Sequence, residues 1–243
     1  FDTGPSLLTL PFVLEEIFIY CGLKIEDYLT IEPLSQHCKY FYPDGVSLTA
    51  FADVHKFASE IEKHTSEKKE HLLQYLAYCK TIYDLTADLF MYSDFHDIKT
   101  FIEKSSFKTL FNISKIDSMR TMHKANSSFF SDDKIIQLFD RYATYNGSNP
   151  YKAPATLNII SHVEYNMGSY IIKEGIYAIP LALKKVAEDC GVIFHYNSKV
   201  QNVVYDKRKV KGITVNDEFI PCDLVVSNVD AYSTYHDLLH DHK

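Results

Sequence analysis

The stretch of residues 138–154, LFDRYATYNGSNPYKAP, constrains the fold more than any other part of the sequence. Apolar residues recur at helical spacing from Ile135 to Tyr142, which predicts a helix with one buried face. Asn146, Gly147 and Pro150 follow in a dense cluster of helix-breaking residues. The sequence therefore predicts a helix whose C-terminal end is fixed by a turn. A well-packed helix with a capped end would account for this spacing by itself.

The residue order of the same stretch carries a second signal. FDRYATYNGSNPYKAP resembles a signature of the carotenoid (phytoene) desaturases, which are FAD-dependent amine-oxidase-like oxidoreductases. The opening FDTGPS resembles the FDxGP segment of that family, and residues 191–230 resemble the closing half of its flavin domain. The resemblance extends over nearly the whole chain, and it implies a flavoenzyme.

Composition argues against several other classes of protein. The 243 residues are 46% hydrophobic and 23% charged, which is typical of a globular protein with a full core. A formal net charge of −7 argues against nucleic acid as a partner, because phosphate binding needs a basic face. The histidines form no HExxH motif, so no metal site is predicted.

The cysteines and the hydropathy pattern bear on location. Five scattered cysteines without a CxxC pair indicate unpaired, buried or inert thiols in a reducing compartment. The sequence shows neither an apolar run long enough to span a bilayer nor a secretory signal. We expect a cytoplasmic protein. The lipid-dissolved substrate that the resemblance implies predicts peripheral membrane association, through an exposed apolar helical patch in residues 70–130.

The first two thirds of the chain predict a small sheet followed by helices. Pro11 to Tyr20 reads as a helix, and residues 30–34, 38–42 and 46–51 read as strands, the last two forming a hairpin. Residues 53–166 are predicted to be mainly helical, with Asp53 and Ser66 as N-caps. The early strands are expected to join residues 169–172 in one sheet.

The last third predicts βαβ order. Residues 169–172, 176–190 and 192–195 read as strand, helix and buried strand. Residues 200–206 and 210–215 read as a hairpin, 224–226 as a short strand of a parallel sheet, and 231–239 as a helical tail.

These patterns and the resemblance together predict an α/β fold, with α+β character in this chain. Residues 1–30 and 168–243 are expected to form parts of a Rossmann-like FAD-binding domain. Residues 31–167 would form an inserted substrate domain with a small sheet and a helical subdomain. The sequence lacks a GxGxxG loop. In the family that loop lies upstream and a further flavin segment lies downstream, so we expect a fragment that is inactive alone.

The resemblance also implies which residues contact FAD. Gly4, Pro5 and Ser6 match positions that run against the flavin ring, where glycine permits close approach. Val200 matches a valine whose main chain meets the adenine, and Ser227 with Asn228 match a strand end near the cofactor. A turn at residues 4–6 and a core valine at position 200 are the plain structural alternatives.

Catalysis in the family is hydride transfer from a saturated carbon of a polyene to the flavin, with loss of a neighbouring proton. Asp132 and Arg141 are the candidate catalytic residues, and Tyr142, Tyr145 and Asn149 are candidates for binding substrate. As alternatives, Asp132 would be an N-cap, and Arg141 would pair with Asp140 or Glu164. Glu174 stands where the family usually has glycine, which departs from the pattern of the local turn.

Three functions remain open from the sequence. The first is FAD-dependent desaturation of a carotenoid such as phytoene or a hydroxylated carotenoid, with this chain contributing the substrate domain. The second is a non-catalytic lipid-binding or membrane-docking module. The third is another amine-oxidase-like flavoenzyme, similar to retinol saturase.

Overall fold

The computed structural model describes Gly4, residues 6–92 and residues 115–240. Helices α1 to α8 span Pro11–Tyr20, Val54–His64, Lys69–Tyr92, Met122–Phe129, Asp133–Asp140, Ile159–Tyr165, Ala178–Asp189 and Ala231–Ser233. Strands β1 to β7 span Ile31–Pro33, Gln36–Phe41, Ser47–Phe51, Tyr170–Ile172, Val200–Asp206, Lys209–Val215 and Glu218–Pro221. Short 3₁₀ turns occupy Ile25–Asp27, Arg141–Asn146 and Ala155–Asn158, and a π-helical turn occupies Thr234–Leu238.

The chain divides into two compact units, Phe1–Leu183 and Lys184–Lys243. The predicted division at residues 30 and 168 stays a prediction. Mixed helices and strands in both units agree with the predicted α/β class.

The first unit contains two small antiparallel sheets. β1 pairs with β4, opposing Ile31 to Ile172, while β2 pairs with β3 in the predicted hairpin. The prediction of one sheet was wrong. β1 ends at Pro33, which has no N–H to donate, and the chain then turns into a strand with a different partner.

Helices dominate the described part of residues 53–166, as predicted. Asp53 caps α2, because its Oδ1 accepts from the backbone N–H of Lys56 at 2.9 Å. The predicted Ser66 cap was wrong. α3 begins at Lys69, and the hydroxyl of Ser66 instead donates to Oδ2 of Asp132 at 3.2 Å.

An aromatic core holds these helices together. Phe139 stacks on Phe130 with ring centres 5.0 Å apart and lies 4.4 Å from the ring of Tyr75. Tyr75, Phe139 and Tyr142 are fully buried. Burial of each such ring stabilises the fold by roughly 1.5–3 kcal/mol, which anchors α5 before its chain enters the 3₁₀ turn.

The second unit is an antiparallel meander of β5, β6 and β7. The predicted hairpin is confirmed, and its turn residues Lys207 and Arg208 both adopt positive φ, of 46° and 64°. The predicted end of α7 at Gly191 is also confirmed: Gly191 has φ 87°, and Val192 N–H bonds back to Ala187 O at 2.9 Å.

Two predicted strands of this unit were wrong. Residues 192–195 and 224–226 are irregular, and Ile193, Leu224 and Val226 are 77%, 76% and 87% exposed. A short apolar run forms a parallel strand only where neighbouring strands pair with it, and no described strand does so here.

Two further observations concern the predicted location and thiols. None of the helices in the described ranges has the length and apolar character needed to cross a bilayer. All five cysteines are free, and Cys79 is buried while Cys21 and Cys190 are exposed.

Candidate functional site

The signature stretch, residues 138–154, begins in helix α5, continues as a 3₁₀ turn and ends in a loop. Asp132 caps α5 through its Oδ1, which accepts from Lys134 N–H at 2.9 Å. The chain continues from α5 into the 3₁₀ turn at Arg141, and Gly147 ends it with φ 59°. The side chain of Asn149 then accepts from Tyr151 N–H at 2.9 Å, which shapes the following turn. The predicted fixed helix end is therefore confirmed.

A buried carboxylate fastens this stretch to α6. Glu164 is 3% exposed, and its two oxygens accept from the hydroxyls of Tyr142 at 2.7 Å and Tyr145 at 2.9 Å. Because a buried acceptor without a donor is costly, both phenols contribute to the position of Glu164. Tyr142 is fully buried, whereas Tyr145 is 50% exposed.

Arg141 supplies the positive charge of this cluster. Its Nη2 donates to the Tyr40 hydroxyl at 3.0 Å and lies 3.9 Å from Glu164 Oε1, while its guanidinium lies 4.6 Å from the Tyr142 ring centre. Burial alone would lower the pKa of Arg141, but Tyr142, Tyr40 and Glu164 raise it. Of the two pairings considered from the sequence, the structure shows the one with Glu164.

The surrounding phenols stay neutral. Burial raises the pKa of Tyr40 to about 12 and raises the pKa values of Tyr142 and Tyr165 well above the usual range. The Tyr165 hydroxyl makes no hydrogen bond of ordinary geometry with the described residues, although the phenols of Tyr40 and Tyr142 lie beside it. These side chains are therefore neutral phenols, of which Tyr142 donates to Glu164 and Tyr40 accepts from Arg141.

A cavity of about 570 Å³ opens on the other side of the signature stretch. His123 Nδ1 lies 2.7 Å from Asp140 Oδ2, and Asp140 Oδ1 accepts from the amide of the fully buried Asn126 at 2.8 Å. The His123 ring packs on Tyr151 with ring centres 4.3 Å apart. The lining consists of polar side chains with a few apolar ones: His123, Asp133, Ile136, Gln137, Asp140, Arg141, Thr144, Pro150 and Tyr151.

A second, more apolar cavity of about 280 Å³ lies beside β2. It is lined by Tyr40, Phe41, Tyr42, Pro43, Gln137, Leu138 and Arg141. Arg141 therefore lines both cavities. The other predicted substrate residues, Tyr142, Tyr145 and Asn149, are not among the residues that line either one.

The structure brings Arg141, Tyr142 and Tyr145 together around Glu164, while Asp132 and Asn149 hold the two ends of the segment. Sequence reasoning missed the His123–Asp140 pair and the anchoring role of Glu164. One signal was available for Glu164, because the spacing of Ser161, Glu164 and Tyr165 places them on one face of a helix.

The flavin positions implied by the sequence lie in both units. Gly4 is exposed, with no atom within 4 Å of where a Cβ would stand, and Ser6 is also exposed; Pro5 lies outside the described residues. Val200 begins β5, which pairs with β6 on one side and with no described strand on the other. Val200 also lines a cavity of about 620 Å³. A free strand edge beside a cavity fits main-chain recognition of a planar base.

Ser227 and Asn228 precede the last helix of the second unit. The Ser227 hydroxyl lies 2.8 Å from that of Thr234, and Asn228 is exposed. Glu174 stands where the family usually has glycine. Its side chain accepts from Thr30 N–H at 3.3 Å, and Gly175 takes φ 90°. The turn at residues 173–177 therefore forms with glutamate in place of glycine.

Comparison with known proteins gives relatives with carotenoid names. The chain is 34% identical to a 1-hydroxycarotenoid 3,4-desaturase from Flavobacterium sp. (strain P99-3), over 100% of this chain and 49% of that protein. It is 28% identical to a 4,4'-diaponeurosporene oxygenase from Staphylococcus aureus (strain USA300), over 99% of the chain and 48% of the relative. The chain thus spans about half the length of these relatives.

A solved structure shares the fold. An oxidoreductase from Methanosarcina mazei superposes with a TM-score of 0.57 at 15% identity, over 99% of this chain and 50% of that one. The likeness confirms the predicted α/β fold class.

The family comparison covers almost every residue. The model described as "Flavin containing amine oxidoreductase" matches residues 1–240. Together with the carotenoid-named relatives, this match confirms the resemblance found in the sequence and FAD as the cofactor. The chain therefore belongs to the flavin containing amine oxidoreductase family.

Proposed function

We propose that the whole protein is an FAD-dependent oxidoreductase that desaturates a carotenoid polyene, with phytoene or a hydroxylated carotenoid as substrate. The similarity to a 1-hydroxycarotenoid 3,4-desaturase over 100% of this chain carries the proposal. This chain contributes the substrate domain at residues 31–167. Parts of the FAD-binding domain come from residues 1–30 and 168–243.

Bound FAD would accept the hydride from a saturated carbon of the polyene. We assign FAD contacts to Gly4, Pro5, Ser6, Val200, Ser227 and Asn228. Two observations on the described residues support this assignment: β5 pairs with no described strand on one side, and no described atom lies within 4 Å of where a Cβ of Gly4 would stand.

Arg141 and Asp132 are the proposed catalytic residues. Arg141 is a fixed cation that lines two cavities, which suits stabilisation of negative charge near a bound ligand. Asp132 caps the start of α5 and would take part in catalysis from that position. Tyr142, Tyr145 and Asn149 are proposed to position the substrate, the tyrosines through Glu164 and Asn149 through its turn.

Anaerobic single-turnover experiments on purified full-length protein test the reaction. Phytoene or a 1-hydroxycarotenoid should bleach the oxidised flavin band and yield a product with one more carbon–carbon double bond and a longer conjugated system, seen by chromatography. An amine substrate should leave the flavin oxidised. Polyene binding without flavin reduction would instead identify a non-catalytic lipid-binding protein. Bleaching by amines alone, or reoxidation of pre-reduced flavin by retinol, would identify another flavoenzyme of the family.

We also infer peripheral membrane association, because the proposed substrate dissolves in lipid. Among the described side chains of residues 70–130, Met119 is a large apolar residue at the surface, 95% exposed. Helix α1 exposes more apolar surface, since Ile17, Ile19 and Tyr20 are 46%, 62% and 93% exposed. Exposed apolar side chains of this kind suit insertion at a bilayer surface.

Vesicle flotation of the full-length protein checks the membrane inference. The wild type should float with lipid vesicles, and the double variant Ile17→Asp, Ile19→Asp should remain at the bottom of the gradient. Equal flotation of both would place the contact elsewhere, and no flotation of the wild type would contradict membrane association.

A further inference from the structure

The cavity beside α5 contains an imidazole whose orientation is fixed on two sides. Nδ1 of His123 is paired with Asp140 Oδ2 at 2.7 Å, and the ring face packs on Tyr151. Asp140 is 8% exposed and is itself held by the buried Asn126 amide. The ring therefore presents Nε2 as its remaining polar atom, from a side chain that lines the cavity.

The carboxylate decides which ring nitrogen carries the proton. A carboxylate only accepts hydrogen bonds, so Nδ1 must donate to Asp140. In the neutral imidazole, Nε2 is then an acceptor. No hydrogen bond to Nε2 occurs among the described residues, so this acceptor lacks a donor within the described part of the chain.

A cationic donor comes from the same lining. The Arg141 side chain is 39% exposed and lines the cavity, although its Nε is buried and makes no hydrogen bond with the described residues. The rest of the guanidinium contacts Tyr40 and Tyr142. The cavity therefore combines an open acceptor on His123 with a cationic donor side chain on Arg141, beside the apolar side chains of Ile136 and Pro150.

An alcohol is the group that satisfies both. A carbonyl, ether or carboxylate oxygen accepts but would leave Nε2 without a donor. A hydroxyl can both donate to Nε2 and accept from the guanidinium. The volume of about 570 Å³ lies within the range of small-ligand sites, roughly 300–1,000 Å³, and can take the end of a longer apolar molecule.

We propose that His123 and Arg141 form a hydroxyl-binding site that holds the alcohol-bearing end of an apolar substrate, with Asp140 fixing the His123 ring. The inference rests on the proposed function and narrows its substrate class to polyenes that carry a terminal hydroxyl. His123 is then a residue that determines specificity, while the reacting carbons lie elsewhere along the polyene.

The test compares two variants of His123, asparagine and glutamine, whose side-chain amides lie at different distances from the backbone. In His123→Asn the amide can donate to Asp140 but does not extend to the Nε2 position. In His123→Gln the amide oxygen reaches that position. Full-length protein is titrated in detergent micelles with 1-hydroxylycopene and with lycopene, which differ by the terminal alcohol. Dissociation constants come from the absorbance shift of the bound polyene. His64→Asn, at a surface position of α2, is the control, and thermal unfolding verifies that each variant folds.

The expected result is a loss of affinity for the hydroxylated polyene only. His123→Asn should weaken binding of 1-hydroxylycopene about tenfold and leave lycopene binding unchanged, since one buried hydrogen bond to an alcohol is removed. His123→Gln should recover most of that affinity, and His64→Asn should match the wild type.

Equal effects of His123→Asn on both polyenes, or no effect on either, would overturn the hydroxyl site while the proposed function stands. Wild-type protein that binds and oxidises lycopene and 1-hydroxylycopene equally well would also overturn the hydroxyl site alone. Failure of the wild type to bind lycopene, 1-hydroxylycopene or phytoene would refute the proposed function, and the hydroxyl site with it.

Discussion

Individual side chains around Glu164 differ mainly in burial, which makes a matched comparison possible. Tyr142 and Tyr145 each donate one hydrogen bond to the same carboxylate, at 2.7 Å and 2.9 Å. Tyr142→Phe should reduce the free energy of unfolding by about 1–3 kcal/mol, because it removes a donor from a buried carboxylate oxygen. Tyr145→Phe should cost less than about 1 kcal/mol, since water can replace a hydroxyl that is half exposed.

Urea denaturation of both variants measures this difference, with Tyr177→Phe at an exposed position as the control. Equal losses for Tyr142→Phe and Tyr145→Phe would mean that burial does not set the strength of these two bonds.

The sequence predicted the roles of residues that act on nearby backbone. It did not predict most contacts between residues that are far apart in the chain. The Asp132 cap and the glycine at position 147 act on backbone a few residues away, so spacing predicts them. The His123–Asp140 pair spans 17 residues across two helices, and Tyr40 and Arg141 are 101 residues apart. Such contacts depend on how the helices pack, which no local pattern specifies.

Between elements, Glu67 joins the start of α3 to the start of α5. Its Oε1 accepts from the backbone N–H groups of Ser131 and Asp132, and its Oε2 lies 2.6 Å from His71 Nδ1. Burial alone would raise the pKa of Glu67, but His71 and the two backbone groups lower it below the usual 4.5. A lowered folded-state pKa stabilises the fold above pH 4.5, and this contribution is lost as the pH falls through the folded value.

Glu67→Gln should therefore lower the free energy of unfolding at pH 7 by about 1–3 kcal/mol and lose less stability than the wild type on acidification. Denaturation curves between pH 7 and pH 3 test both parts, with the exposed Glu70→Gln as the control. A variant whose stability falls with acid as steeply as that of the wild type would contradict the assignment.

Elements were predictable where their signals are local. The helix at Pro11–Tyr20, the hairpin of β5 and β6 and the strand Tyr170–Ile172 agree with the sequence within a residue or two. The predicted strands at residues 192–195 and 224–226 were wrong, because an isolated apolar run does not show whether partner strands are present.

At the scale of the whole chain, those same two runs leave apolar surface uncovered. Ile193, Leu224 and Val226 are all more than three quarters exposed. Exposed apolar side chains of this kind drive association, so the 243-residue chain on its own should self-associate. The double variant Leu224→Asp, Val226→Asp should shift it toward monomer in analytical ultracentrifugation.

Asn216→Asp adds negative charge at an exposed turn of the same unit and is the control, which should leave association unchanged. If the control and the double variant reduce association equally, net charge and not the apolar surface is responsible.

Arg141 lines both the cavity beside α5 and the apolar cavity beside β2, so its guanidinium, together with the side chain of Gln137, forms a wall that they share. A ligand that draws the Arg141 side chain toward one cavity changes the shape and charge of the other. Occupancy of the two cavities is then energetically coupled, and thermodynamic reciprocity requires each ligand to alter the affinity for the other by the same factor. Such coupling would let binding at one end of a long molecule regulate what is accepted along the rest of it.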